Sequence, residues 1–249
     1  MTIDIHTHIG QSIYGYGQRP HELIARMDRL AIERAVVCPV QPIDYHLEPA
    51  NDEVAAAVNE HPDRLLGFCR VDPRRGERAV EELRRAVSQL GLSGLFLHPW
   101  EEGYSVNDEK VVRVVGVAGE LGVPVMIAAG YPWYSHPLQV ADLARRFPRQ
   151  KFLMTHGGQL NISGLAQQDA MTALSECPNI LIEVSGVYRQ DFIEGVVQGL
   201  GGERVLFGSN SPQMHQEFEL ERIHSVKVTA QARERILAYN ARELLDIPD

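Results

Sequence analysis

Lysine is scarce in this chain of 249 residues, which has only Lys110, Lys151 and Lys227. Cysteine is equally sparse: Cys38, Cys69 and Cys177 lie far apart and form no CxxC pair. Such an odd, dispersed set excludes a disulfide framework and reads as reduced, buried, intracellular thiols. No apolar run approaches the roughly 18 residues of a membrane span. Asp4 and His6 fall where the basic and apolar regions of a signal peptide would have to be. Positive charge is in deficit, with 24 Lys and Arg against 33 Asp and Glu, a net charge of -9 and a pI near 5.6. That balance disfavours nucleic acid or an anionic membrane as partner. The expectation is an acidic cytoplasmic protein that works on a small molecule.

What the sequence does contain is a regular alternation. Short apolar runs at 2–6, 35–40, 64–71, 93–98, 123–128, 151–156, 179–185 and 204–209 read as strands. Stretches with helical spacing follow near 20–32, 50–60, 76–90, 107–121, 137–147, 165–176, 190–200 and 229–246. Several runs are almost wholly apolar, as parallel strands covered on both faces are. Eight such alternations in about 250 residues predict a single α/β domain over 1–249, a (β/α)₈ TIM barrel. No GxGxxG or GxxxxGK[ST] follows any strand, so a doubly wound nucleotide-binding sheet lacks its signature. His6, His8, His98, His156, Ser185 and Asn210 stand at or just past strand C-terminal ends, where barrels of this kind build their sites.

The stretch TIDIHTHIG (2–10) is the sharpest feature. Strict alternation places Asp4, His6 and His8 on one strand face, with Ile3 and Ile5 on the other. Two imidazoles on one face suggest a metal site, and His156 in MTHGG could converge on the same ion. Three neutral imidazoles suit Zn²⁺ with a fourth position for water or substrate. The alternative for each histidine is a hydrogen-bonded residue in a polar pocket.

The motifs DIHTH (4–8), RVDP (70–73), GLFLHP (94–99), LGVPVMIAAG (121–130), MTHGG (154–158), FGSNSP (207–212) and ILAYNARELL (236–245) together resemble the amidohydrolase-related barrels of the amidohydrolase superfamily. That resemblance covers nearly the whole chain. It implies a zinc-dependent hydrolase or decarboxylase of small aromatic or carboxylated substrates, often assembled as a homodimer or larger. It also implies that His6 and His8 are metal ligands, and that His156 is a ligand or a substrate-polarising group. Two positions depart from the family pattern. Ala128 stands in PVMIAAG where a ligand histidine is usual, and Asn210 stands in GSNSP where a catalytic aspartate is usual. Alanine cannot ligate, and a neutral amide cannot take a proton from metal-bound water. No lysine is placed to bridge two metals, so a single divalent ion, or none, is expected.

Other residues could complete the chemistry. His98 could act as ligand or base. Glu183, which shares a strand face with Ser185, is the spare carboxylate for acid–base work or else an ion-pair partner of Arg70. Trp100, Tyr131, Trp133 and Tyr134 form an aromatic group in two loops suited to an apolar or aromatic ligand. The Gly- and Tyr-rich loop 10–20 could serve as a lid. The expected activity is hydrolysis or decarboxylation of a small acid, ester, lactone or amide. The same barrel could instead run metal-free acid–base chemistry or serve as a non-catalytic binding subunit.

Overall fold

The computed structural model describes residues 1–159 and 164–248. Nine strands form one curled sheet: β1 (Ile3–Gln11), β2 (Gly17–Gln18), β3 (Arg34–Pro39), β4 (Leu65–Arg70), β5 (Gly94–Leu97), β6 (Val125–Ile127), β7 (Phe152–Met154), β8 (Ile180–Glu183) and β9 (Val205–Leu206). Their order is β2-β1-β3-β4-β5-β6-β7-β8-β9, with every pair parallel except β1 and β2. The eight predicted strands are all present, most of them shorter than their apolar runs. The short β2 lies inside the stretch read as a loop and pairs back onto the end of β1.

The first strand meets the segment after the last. Ile5 N donates to Phe207 O at 3.0 Å, Asn210 N to His6 O at 2.7 Å and His8 N to Ser211 O at 2.7 Å. One apolar cluster fills the inside of the curl, with Ile3, Ile5, Val36, Phe68, Phe96 and Met126 among its members. A larger one lies between the sheet and the helices that follow its strands.

The helices agree with the apolar spacing, with two additions and one interruption. The helix Gln216–Ser225 and the single turn Pro99–Glu102 fall in stretches too polar or too short to read as helix. The last predicted helix runs as Ala230–Glu234, a π-helical turn Arg235–Tyr239 and Asn240–Leu245. At the π turn the Ile236 carbonyl accepts from Phe207 N at 2.9 Å, a tertiary demand that spacing alone does not reveal. No helix among the described residues is long and apolar enough to cross a membrane.

Strict alternation fails in β1. Asp4 pairs with Ala35 and Thr7 with Val37, so one extra residue bulges out between them. The bulge resets which side chains face inward. Ile3 and Ile5 therefore belong to the inner cluster, yet His6 and His8 also pack on the inner Phe96 ring, at centroid distances of 5.8 and 5.3 Å. The expectation that Asp4 shares a face with the two histidines is corrected: Asp4 is turned away, to the seam.

At the seam Asp4 Oδ1 accepts from the backbone N–H groups of His6 (3.2 Å) and Ser209 (2.9 Å), and Oδ2 accepts from Gln216 Nε2 (2.7 Å). Burial nevertheless raises its pKa to about 6 from an ordinary 3.8. The folded protein then holds a proton that the unfolded chain has released, so stability falls as pH rises between about 4 and about 6. Asp4→Asn removes this dependence without emptying the site. Gln216 can turn its amide so that Oε1, which has no partner, accepts from the new side-chain NH₂. Urea midpoints should show a flatter slope for the variant than for the wild type over that pH window; equal slopes contradict the assignment.

Candidate active site

The strand ends deliver six polar side chains to one small cavity. His6 and His8 come from β1, Arg70 from the end of β4, His98 follows β5, His156 follows β7 and Asn210 follows β9. Tyr16, Phe96, Glu101, Ala128 and Gln213 also line it. The free space is about 10 Å³, room for one water-sized occupant. His156 and Asn210 adopt left-handed backbone conformations, with φ of 56° and 51°. Strain of this kind persists where surrounding structure holds it, and it re-aims both side chains.

A buried carboxylate organises the histidines. Glu183, fully buried at the end of β8, accepts from His6 Nδ1 at 2.9 Å, from Ser185 Oγ at 2.9 Å and from the Ser185 backbone N–H. The backbone N–H of His156 adds a longer contact at 3.4 Å. With its Nδ1 proton given to Glu183, His6 presents a bare Nε2 to the cavity. His8 Nε2 lies 3.1 Å from it, close enough for the two nitrogens to share one proton. Among the described residues, none comes within hydrogen-bond geometry of the buried His8 Nδ1. His156 turns its own Nδ1 to Ser185, 3.0 Å from both the carbonyl and Oγ. Glu183 is thus no partner of Arg70; the expected ion pair is replaced by one between Arg70 and Glu101 and Glu102.

Burial sets the charge state. It pushes His6 down to about 3 and His156 to about 4, and it lowers His8 and His98 as well, helped for both by the nearby Arg70 cation. The four imidazoles are therefore neutral at neutral pH. Burial also raises Glu183, so its carboxylate holds a proton more readily than an exposed one.

The donor set around the expected metal ligands differs from the family pattern. His6, His8 and His156 all line the cavity, the His6 and His156 rings 5.7 Å apart between centroids, with His156 Nδ1 held by Ser185. Ala128 offers no donor and the Asn210 amide is neutral, its Nδ2 donating to Gln213 Oε1 at 3.0 Å. Among the described residues, no three His, Cys, Asp or Glu side chains are grouped so as to hold a metal ion. With Ala128 and Asn210 supplying no ligand, a divalent ion here would rest on imidazoles alone.

Of the aromatic residues expected around the substrate, Trp100 and Tyr131 stack at 5.5 Å with 14° between their planes, and Tyr131 reaches His98 at 5.6 Å. Trp133 is 85% exposed and Tyr134 is half-buried, and none of the four expected aromatics lines the cavity itself. Glu183 too stands behind the cavity and acts through His6. Spacing did not point to Tyr16, Glu101 or Gln213. The one available signal was Arg70 itself, a cation ending an otherwise apolar strand.

A curled parallel sheet with histidines gathered at its strand ends is the architecture of the amidohydrolases, and the sequence matches the amidohydrolase family over residues 3–247. The chain belongs to that family. A 2-amino-3-carboxymuconate-6-semialdehyde decarboxylase from Dictyostelium discoideum is 30% identical over 83 residues, 33% of this chain and 22% of that protein. The similarity thus spans about a fifth of the Dictyostelium enzyme. A gamma-resorcylate decarboxylase from Rhodococcus jostii is 22% identical over 248 residues, covering 80% of this chain and 75% of the relative. The structure of a dihydroxybenzoic acid decarboxylase from Polaromonas, with bound manganese and the inhibitor 2-nitroresorcinol, superposes with a TM-score of 0.77 at 16% identity. That match covers 99% of this chain and 97% of the other.

The missing ligands can be supplied. Ala128→His together with Asn210→Asp should bring bound manganese or zinc to about one ion per chain, measured by elemental analysis after dialysis against the metal. The parent should retain at least tenfold less. Equal metal content in the two proteins would contradict the reading of the site.

Proposed function

We propose that this chain is a carboxy-lyase for small aromatic carboxylates that uses a shared proton in place of a metal ion. The observation that carries the proposal is the His6–His8 contact, two Nε2 atoms at 3.1 Å, backed by Glu183 on His6 Nδ1. The activities of the decarboxylase relatives support the substrate class. So does Arg70, a cation in the wall of the cavity. The seam hydrogen bonds between β1 and the segment after β9 support a closed (β/α)₈ barrel, 1–249 as one domain, with this cavity at its mouth. The compartment and assembly in this reading are those expected above, a cytoplasmic homodimer.

The chemistry follows from charge. A substrate carboxylate brought against neutral imidazoles raises their affinity for a proton. One proton from water then sits between the two Nε2 atoms, with Glu183 balancing its charge through His6. The proton passes to the ring carbon that bears the carboxylate, the carbon–carboxylate bond breaks, and CO₂ leaves with the bonding pair returned to the ring. No water has to be activated, which suits Asn210, an amide that cannot act as general base. His156 and His98 orient the substrate. Hydrolysis by a zinc-bound water, the other reading of the family resemblance, lacks its carboxylate base at Asn210.

CO₂ release from a panel of hydroxybenzoates tests this. Activity should survive dialysis against EDTA and fall as pH rises. It should drop about 10²-fold or more in His6→Ala and at least tenfold in Glu183→Gln. Loss of activity on chelation with recovery on adding metal would overturn the metal-free mechanism.

A further inference from the structure

Arg70 is offered more negative charge than it needs. Glu102 Oε1 accepts from its Nε at 2.9 Å and also from Nη2, a fork that neutralises the cation. Glu101, the preceding residue, places its own carboxylate on the same Nη2, while Nη1 has only the Pro39 carbonyl at 3.4 Å. Both glutamate side chains are buried, at 6% and 2% exposure. Two carboxylates beside one guanidinium in a poorly solvated site repel each other. Glu102 is pushed up to about 7, by burial first and with a contribution from Glu101.

The two glutamates differ in what else they face. Glu102 lies outside the cavity, while Glu101 lines it together with His6, His8 and His98. Its Oε1 stands 3.8 Å from His98 Nε2. The neighbouring Trp100 is 44% exposed, so the short turn Pro99–Glu102 has solvent at hand. With about 10 Å³ free, the cavity admits no carboxylated ring until a side chain withdraws.

We infer that Glu101 is a gate: its carboxylate occupies on Arg70 the place a substrate carboxylate takes, and substrate entry turns it out to solvent. The exchange selects for anions. An incoming carboxylate replaces one charge-assisted partner of Arg70 with another, whereas a neutral analogue leaves the buried cation with less than it had. The selected class, aromatic acids, rests on the reading proposed above; the anion exchange itself does not.

Titration calorimetry on the full chain with acetate, salicylate and salicylamide separates the two claims. Glu101→Gln keeps the side chain's shape and removes the competing charge. It should bind acetate and salicylate about tenfold more tightly than the wild type and leave salicylamide unchanged. Glu101→Ala should shift both acids in the same direction. Acetate and salicylate binding that is unchanged or weaker in both variants overturns the gate while leaving the carboxy-lyase reading in place. Tighter acetate binding with no salicylate binding in any of the proteins keeps the gate and overturns the aromatic-acid reading.

Discussion

The contact between Glu183 and His6 is the constraint on which the site depends. A carboxylate with no exposed surface is tolerated only when its oxygens are fully engaged. Here they tie β8 to β1 through His6 and to the turn after β7 through the His156 backbone. Space for it is reserved by Gly208, where a Cβ would come within 2.6 to 2.8 Å of the Glu183 side chain. The small residue in FGSNSP is thus a packing requirement of a carboxylate at the end of the preceding strand. Glu183 in turn decides which nitrogen of His6 carries a proton, and so what the cavity meets.

From that point the surroundings act together. The bulge in β1 turns both histidines inward while Asp4 holds the seam behind them. The Phe96 ring lies against His6, His8 and His98 and under the Arg70 guanidinium, keeping water from the imidazoles and so keeping them neutral. A neutral histidine pair beside one cation has capacity for an anion and a proton together, which is the pairing that decarboxylation consumes. The same enclosure that prepares the site also fills it, and Glu101 is the side chain positioned to make way.

Much of the architecture was legible in the letters because parallel strands buried on both faces leave continuous apolar runs. The strand ends were legible too: His6, His8, His98, His156 and Asn210 do meet in one cavity. The β1 bulge was not, since a one-residue insertion changes facing without changing composition. Which carboxylate meets which cation was also hidden. Arg70 with Glu183, and Arg70 with Glu101 and Glu102, are equally good pairs on paper, and only the sheet order and the turn after β5 choose between them. Ala128 and Asn210 mark departures from the family pattern. The ring orientations on which the proposed chemistry rests are encoded in no spacing.

The proton arrangement around His6 decides the chemistry of the cavity, and ¹⁵N NMR of the histidine rings in metal-free protein reads it directly. The prediction is a neutral His6 with its proton on Nδ1 and a bare Nε2, changing on addition of salicylate to a protonated resonance shared with His8. A His6 protonated on Nε2 alone, or ring shifts that change with added zinc or manganese and ignore salicylate, would contradict it.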